Sequence, residues 1–160
     1  MFEGVEHSGR SVHAPEEIDH IEQLVDALLG SRYAIARGNR TEEGVLDAST
    51  ILVTAPYNVQ VNRLEQRLNG RARVGTVDKF QGQEAPVAIH SLTASRGDEA
   101  PRRVDFLLEP NRLNVAISRA QCLSIVVGSP GLASGIANTV AEAEQGNRLC
   151  RFIENGRPMP

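Results

Sequence analysis

The sequence predicts an α/β domain in which a mostly parallel sheet carries helices on both of its faces. Five short apolar runs are predicted to form strands, near residues 4–7, 50–54, 73–77, 87–92 and 123–127. Segments with apolar residues at three- and four-residue steps separate most of these runs, as expected of amphipathic helices. Such an alternation of strands and helices is typical of a parallel sheet that is covered on both sides.

The first predicted helix begins near Pro15, a residue that the first turn of a helix tolerates, and ends before Gly30. Its apolar residues recur every three or four positions, at Ile18, Ile21, Val25 and Leu28. The same segment contains a run of acidic residues: Glu16, Glu17, Asp19, Glu22 and Asp26. Carboxylates near the start of a helix favour the positive end of its dipole, so we expect these residues to form a solvated face.

Two polar segments are predicted to be mobile loops. Residues 31–48 contain several arginines and two glycines but no sustained period, which indicates an exposed connection with at most one short strand. Residues 94–105 form a second polar stretch, and a loop at that point could close over a ligand.

The second predicted helix follows the strand at 50–54 and ends at Gly70. Its core stripe consists of Val61, Leu64 and Leu68. Four arginines lie on this helix or just after it: Arg63, Arg67, Arg71 and Arg73. We interpret them as a solvated face rather than as a nucleic-acid contact.

The third predicted helix runs from about Asn111 to Ala120. Its apolar face follows an i, i+3, i+4, i+7 pattern at Leu113, Ala116, Ile117 and Ala120. The strand at 123–127 comes next. A last helix is predicted around Leu149, Phe152 and Ile153.

Length and composition fit one domain that spans residues 1–160 and buries a substantial core. No apolar run approaches the roughly 18 residues that a membrane span requires, and the N-terminus lacks a signal-peptide pattern, so we expect a cytoplasmic protein. Cys122 and Cys150 have no metal-ligand spacing and are predicted to be small buried hydrophobes. The four histidines, His7, His13, His20 and His90, are predicted to be ordinary surface or core residues, and no metal site is expected.

Charge limits the possible functions. The formal net charge is −3, so any nucleic-acid binding must come from a local surface. Lys79 is the only lysine, and it stands between Asp78 and Phe80. The sequence therefore contains no Gly-Lys-Ser/Thr element of a Walker A phosphate-binding loop.

Three segments carry the polar residues with the strongest functional signal: Leu52-Val-Thr-Ala-Pro-Tyr-Asn-Val-Gln60, Val74-Gly-Thr-Val-Asp-Lys-Phe-Gln-Gly-Gln-Glu84, and Glu109-Pro-Asn-Arg-Leu-Asn-Val-Ala-Ile-Ser-Arg-Ala120. The middle segment is a polar turn between two strands. It is expected to hold Gln81, Gln83 and Glu84 at an edge of the sheet where α/β proteins bind ligands.

Together, in this order and at this spacing, the segments resemble motifs IV, V and VI of superfamily 1 helicases. The likeness is to the class that translocates 5′ to 3′, which includes helicases of nonsense-mediated decay and Okazaki-fragment processing. The resemblance implies a three-layer RecA-like fold of the P-loop NTPase type, here without its own Walker A. It also implies that the chain is the C-terminal of two motor domains in a bacterial helicase.

The resemblance further implies ATP with Mg²⁺ as cofactor, bound in a cleft that the N-terminal RecA-like domain of the same full-length chain would complete. The other implied partner is single-stranded DNA or RNA, and no membrane is involved. Because the other domain supplies the P-loop and the metal-binding carboxylate, the isolated domain is expected to be inactive.

Individual roles are implied by matching positions. Arg119 matches the arginine finger. Arg112 matches a second arginine of the motif that would help to brace the phosphates, and a role on the helix surface is the alternative. Glu84 matches the glutamate that contacts the ribose, with Gln81 and Gly82 beside it. The residues that match nucleic-acid contacts are Thr54, Tyr57, Gln60, Thr76 and Val77. Gln121 departs from the pattern, because relatives frequently carry an arginine there.

Two other functional classes compete with this interpretation. A non-hydrolysing nucleic-acid-binding or regulatory module could keep the helicase fold. A dinucleotide enzyme of the Rossmann type is disfavoured, because no Gly-x-Gly-x-x-Gly follows a predicted strand.

Overall fold

The computed structural model describes residues 1–96, 110–134 and 147. In these parts the elements are β1 (Phe2–Gly4), α1 (Pro15–Leu28), β2 (Arg32–Arg37), β3 (Arg40–Val45), β4 (Ile51–Thr54), α2 (Asn58–Leu68), β5 (Arg73–Gly75), β6 (Ala85–Ser91), α3 (Pro110–Ile117) and β7 (Ala120–Gly128). Short 3₁₀ helices lie at Asp78–Phe80 and Pro130–Ser134.

The main sheet has five strands in the order β1-β7-β6-β4-β5, and every neighbouring pair is parallel. The predicted α/β fold with a mostly parallel sheet is therefore confirmed. All seven residues of the central strand β6 are buried. Burial on both faces explains why the sequence of this strand is mostly apolar and does not alternate with polar residues.

Helices α1 and α2 pack on the same face of this sheet. Their apolar stripes meet the alternate residues of the strands in one core cluster, whose fully buried members include Ile21, Leu64, Ile51 and Ile89. On the opposite face, Phe80 packs against Leu52, Ala85 and Ala88. Helix α3 contacts β6 and β7.

The first strand lies two residues earlier than predicted. Phe2, Glu3 and Gly4 pair with Val126, Val127 and Gly128, and the amide of Val5 donates the last hydrogen bond of the ladder to Gly128. The predicted strand at 4–7 extended too far because the chain has left the sheet at His7. The ring of His7 instead binds the carboxylate of Glu17.

The prediction of a loop at 31–48 was wrong. Strands β2 and β3 form an antiparallel hairpin with a two-residue turn at Gly38 and Asn39. Gly38 has φ +60° while Asn39 does not have a positive φ, the pattern of a type II′ turn. Ser31 and Leu46 close the base of the hairpin through a hydrogen bond of 2.8 Å from the Leu46 amide.

Other expectations have mixed outcomes. Residues 94–96 begin the second predicted loop, yet Ala94 and Ser95 are buried. Residues 97–105, the predicted helix near 149–153 and Cys150 lie outside the described residues. Among the described residues, no helix has the length and apolar character needed to cross a bilayer.

Candidate nucleotide and nucleic-acid sites

The three motif segments meet two opposite edges of the sheet. Glu84 immediately precedes β6 and Arg119 immediately precedes β7, so both lie at the amino-terminal edge. Gln83 and Glu84 lie at an edge of the sheet, as expected, but at the amino-terminal edge rather than at the carboxyl ends of the strands, where α/β sheets usually bind ligands. The chain crosses from the carboxyl end of β5 to the amino end of β6 within residues 76–84.

Arg119 lies beside this crossover. Its carbonyl accepts a hydrogen bond of 2.9 Å from the Ala85 amide, and its Nη1 lies 3.5 Å from the carbonyl oxygen of Gln83. Its Nε donates to the Val115 carbonyl at 3.0 Å. Among the residues that the structure describes, no carboxylate pairs with this half-exposed guanidinium. A structural arginine that neutralises a buried acid is thus not what the described surroundings show.

Glu84 is exposed, and one of its carboxylate oxygens accepts a hydrogen bond of 2.8 Å from the Gln121 side-chain amide. The sequence marks Gln121 only as a departure from the family pattern, and its contact with Glu84 could not be read from the motif. An amide at this position orients the carboxylate without placing a second positive charge beside it.

Glycines shape the crossover in two different ways. Gly82 has φ +77°, a backbone conformation that favours glycine, although open space surrounds its missing Cβ. At Gly75 the limit is steric, because a Cβ would lie 2.5 Å from Lys79 Cδ and 3.0 Å from Phe80 Cε2. Gln81 between them is exposed.

The backbone of Arg112 lies within α3, but its side chain is outside what the structure describes. The predicted phosphate-bracing role of Arg112 stays a prediction.

At the carboxyl-terminal edge, the predicted nucleic-acid residues separate into two groups. Thr76 and Val77 are half-buried and keep some solvent contact. Thr54, Tyr57 and Gln60 are buried, with exposed fractions of 3%, 8% and 0%. In this structure the side chains of the second group are not available to a ligand at the surface.

Internal partners explain the burial of two of these residues. Thr54 Oγ1 bonds to His90 Nδ1 at 2.8 Å on the neighbouring strand. Burial lowers the pKa of His90 to about 4, so this ring is neutral at physiological pH. Gln60 accepts a hydrogen bond from the Ala14 amide and donates one of 3.0 Å to Ser91 Oγ, which ties the start of α2 to the chain before α1 and to β6.

The prediction for Glu17 differs strongly from the structure. This residue was predicted to lie on a solvated face, but it has no exposed surface. Its carboxylate accepts hydrogen bonds from Ser91 Oγ at 2.6 Å and from the Thr93 amide at 3.0 Å, and it lies 2.9 Å from His7 Nε2. The other ring nitrogen of His7 lies 2.7 Å from Ser95 Oγ.

This network holds the turn that follows β6. Thr93 has φ +70°, which is a strained conformation for a β-branched residue. The Glu17 carboxylate binds the amide of this same residue, so the network stabilises the strained turn at the carboxyl-terminal edge. The sequence shows only that residue 17 is acidic, and it shows the same for four other residues of this segment. It therefore could not single out Glu17 as the buried one.

Cys122 also corrects an expectation. It is exposed rather than buried, near the start of β7, and its sulfur lies 3.6 Å from the Ala34 carbonyl of the hairpin. The hairpin therefore lies at the same amino-terminal edge as Glu84 and Arg119.

The described residues fit part of an ATP site. An exposed carboxylate at Glu84 and a guanidinium without a carboxylate partner at Arg119 suit a ribose and a phosphate, respectively. A metal ion is a different matter, since the described parts of the chain contain no group of three potential ligands from His, Cys, Asp and Glu.

Comparison with known proteins identifies the family. The family described as "AAA domain" matches residues 2–131. The chain belongs to this AAA domain family. The match covers both the motif segments and the Glu17 helix.

Relatives of this AAA domain include helicases. The chain is 42% identical over 89 residues to DNA polymerase alpha-associated DNA helicase A of Schizosaccharomyces pombe, a match that covers 54% of this chain and 13% of the relative. It is 32% identical over 134 residues to the putative helicase MOV-10 of Gallus gallus, covering 74% of this chain and 13% of the relative. It is also 38% identical over 105 residues to DNA-binding protein SMUBP-2 of Rattus norvegicus, covering 64% and 9%.

These matches confirm the prediction of a superfamily 1 helicase domain. The chain spans only 13% of the length of the first two relatives, so activities of the whole relatives do not transfer to it directly.

Proposed function

We propose that this domain is the second motor domain of an ATP-dependent superfamily 1 helicase. Its amino-terminal sheet edge would complete an ATP site held mainly by an N-terminal RecA-like domain, and its carboxyl-terminal edge would face single-stranded DNA or RNA. A bacterial origin and a cytoplasmic location remain predictions from the sequence.

The observation that carries the proposal is the meeting of two distant motif residues at one sheet edge. Glu84 and Arg119 are 35 positions apart, yet the Arg119 carbonyl binds the amide of Ala85, the residue directly after Glu84. One residue presents an exposed carboxylate and the other a guanidinium. This is a suitable arrangement for a nucleotide that bridges this edge and another domain.

The roles of the side chains follow from their chemistry. A guanidinium is always charged, and Arg119 would stabilise negative charge that develops on γ-phosphate oxygens in the transition state. Glu84 would accept hydrogen bonds from ribose hydroxyls while Gln121 holds its carboxylate in place. ATP, when bound, supplies the phosphoryl group whose hydrolysis drives the motor. The Mg²⁺ ligands would come from the other domain.

The first test changes Arg119 in the full-length protein that contains this domain. Arg119→Ala should lower nucleic-acid-stimulated kcat by about 10³- to 10⁵-fold, as is typical when an arginine finger is lost. Affinity for ATP should change little, because the finger acts mainly in the transition state. Arg119→Lys should rescue little, since an ammonium cannot reproduce the planar fork.

Arg32→Ala is the matched control. The Arg32 side chain is 80% exposed in the hairpin and pairs with Glu43, so its loss removes the same charge without touching the motifs. Thermal melts of all variants separate catalysis from folding. A loss below tenfold in kcat for Arg119→Ala, with the domain still folded, would contradict the finger and return Arg119 to a structural role.

A further inference from the structure

We propose that a cleft along the outer edge of β5 binds the phosphodiester backbone of a single strand, an extension that rests on the proposed function. The cleft has a volume of about 510 Å³. It is lined by Glu65, Gly70, Ala72, Arg73, Val74, Lys79, Phe80 and Gln83. Strand β5 is the outermost of the described strands of the sheet, so no described strand covers the edge beside this cleft.

Two cations define the chemistry of the cleft. The Arg73 guanidinium lies 5.3 Å from the centroid of the Phe80 ring, and the Lys79 ammonium lies 5.8 Å from the same centroid. The aromatic ring thus holds both charges at one place. In a chain of net charge −3, such a local concentration of positive charge is what phosphate binding requires.

The neighbouring arginines do not share this property. Arg67 pairs with Asp19 and Glu22 on α1, and Arg71 pairs with Glu22 and Asp26. Their charges are neutralised on the α1–α2 surface. Arg73 instead bonds to the side-chain amide oxygen of Gln83, which carries no charge.

Donor groups remain available in the cleft. Arginine has five N–H donors, and the described hydrogen bond of Arg73 uses one of its terminal nitrogens. Lys79 donates to the Val74 carbonyl at 2.9 Å and lies 3.4 Å from Glu65. That ion pair is exposed, at 57% for Lys79 and 47% for Glu65, so a phosphate could replace Glu65 at little cost.

The cleft runs along β5 from Arg73 and Gln83, at the amino-terminal edge, to Lys79, so its other end approaches the predicted nucleic-acid residues and favours a strand as the source of the phosphates. The Lys79 amide lies 3.4 Å from Thr76 Oγ1, which places the lysine one turn from Thr76 and Val77. These two are the motif-predicted nucleic-acid residues that keep solvent contact. A strand passing them at the carboxyl-terminal edge could continue into the cleft.

The test measures binding of the 160-residue chain to a fluorescein-labelled oligothymidylate at a series of salt concentrations. Each phosphate contact to a single strand contributes about 0.7 to the slope of log affinity against log salt. Arg73→Ala and Lys79→Ala should each reduce the slope by roughly that amount. Lys79→Arg should keep it. Glu65→Gln, which removes the carboxylate of the cleft, should raise affinity by up to about fivefold.

Arg32→Ala is again the matched control and should leave the slope unchanged. Unchanged slopes in both cleft variants, with the wild-type chain still binding, would overturn the cleft site alone. If the cleft variants weaken binding of pyrophosphate or ATP but not of the oligonucleotide, the phosphates bound in the cleft do not come from a nucleic-acid strand. A wild-type chain that binds no oligonucleotide at low salt would contradict both the cleft site and the nucleic-acid part of the proposed function. If Lys79→Ala melts early, Arg73→Ala and Glu65→Gln still decide the outcome.

Discussion

At the scale of single residues, the buried carboxylate of Glu17 shows how strongly this domain depends on one polar network. A buried carboxylate is stable only where hydrogen bonds replace its contacts with water. Glu17 meets this requirement through Ser91, the Thr93 amide and His7. Removal of the carboxylate would leave these groups buried without their shared acceptor.

Glu17→Ala should therefore lower the free energy of unfolding by about 2–6 kcal/mol, because two buried donors, the Ser91 hydroxyl and the Thr93 amide, each lose their acceptor at roughly 1–3 kcal/mol. Glu16→Ala is the matched control on the adjacent position. Glu16 is 33% exposed and pairs with Arg10, so its loss should lower stability by less than about 1 kcal/mol. Urea denaturation of both variants measures the difference. Equal losses would show that the Glu17 network contributes no more than a surface ion pair.

At the scale of elements, the crossover from β5 to β6 depends on two glycines for different reasons. Gly82→Ala should lower stability by about 1–2 kcal/mol through the left-handed backbone alone. Gly75→Ala should lower it by about 1 kcal/mol, because the exposed Lys79 chain can move aside while the buried Phe80 ring, 3.0 Å away, must give.

Substitution by asparagine distinguishes the backbone cause at Gly82 from the steric cause at Gly75. Because asparagine tolerates φ > 0 better than alanine, Gly82→Asn should be more stable than Gly82→Ala. At Gly75 the order should reverse, since asparagine is larger than alanine and the space is already filled. Urea midpoints of the four variants provide the measurement. The same order at both positions would show that one cause, backbone or packing, acts at both glycines.

Elements with a clear apolar period could be predicted from the sequence. The stripes of α1 and α2 and the apolar run of β6 are such cases, because each buries a regular set of side chains. The hairpin could not be predicted this way. Five of the six residues of β3 are exposed and the sixth is only half-buried, so β3 lacks the alternation of a half-buried strand. Its sequence signal was the Gly38-Asn39 turn between two short runs.

The candidate site was predictable in its residue types more than in its geometry. The motifs indicated Glu84 and Arg119, and both lie at one edge. Gln60 was predicted to contact nucleic acid because it matches a motif position, yet its side chain binds Ala14 and Ser91 in the interior. Such pairings join residues far apart in the chain, and no local pattern encodes them.

At the scale of the whole molecule, the parallel sheet separates the residues of the two proposed sites. Because all strands of the sheet point the same way, Glu84 and Arg119 gather at its amino-terminal edge and Thr76 and Val77 at the opposite one. A nucleotide would thus act through the body of the domain on a strand at the far edge. Strand β6 and the turn held by Glu17 span that distance.

The same division predicts how the 160-residue chain behaves alone. Its sequence has no P-loop lysine, and its described residues contain no cluster of potential metal ligands. In the proposed role, Arg119 would stabilise the transition state only after other groups had bound the phosphates. We therefore expect no ATP turnover and an ATP affinity no tighter than about 1 mM, equivalent to roughly −4 kcal/mol. Phosphate-release assays with and without oligonucleotide, beside calorimetric ATP titration, measure both quantities.

Glu84→Ala serves as the control for this prediction. Steady hydrolysis that survives repeated purification and disappears in this variant would show that the chain holds a complete site by itself. In that case the division of labour between two motor domains would have to be abandoned, because half a cleft cannot both bind the phosphates and supply the finger.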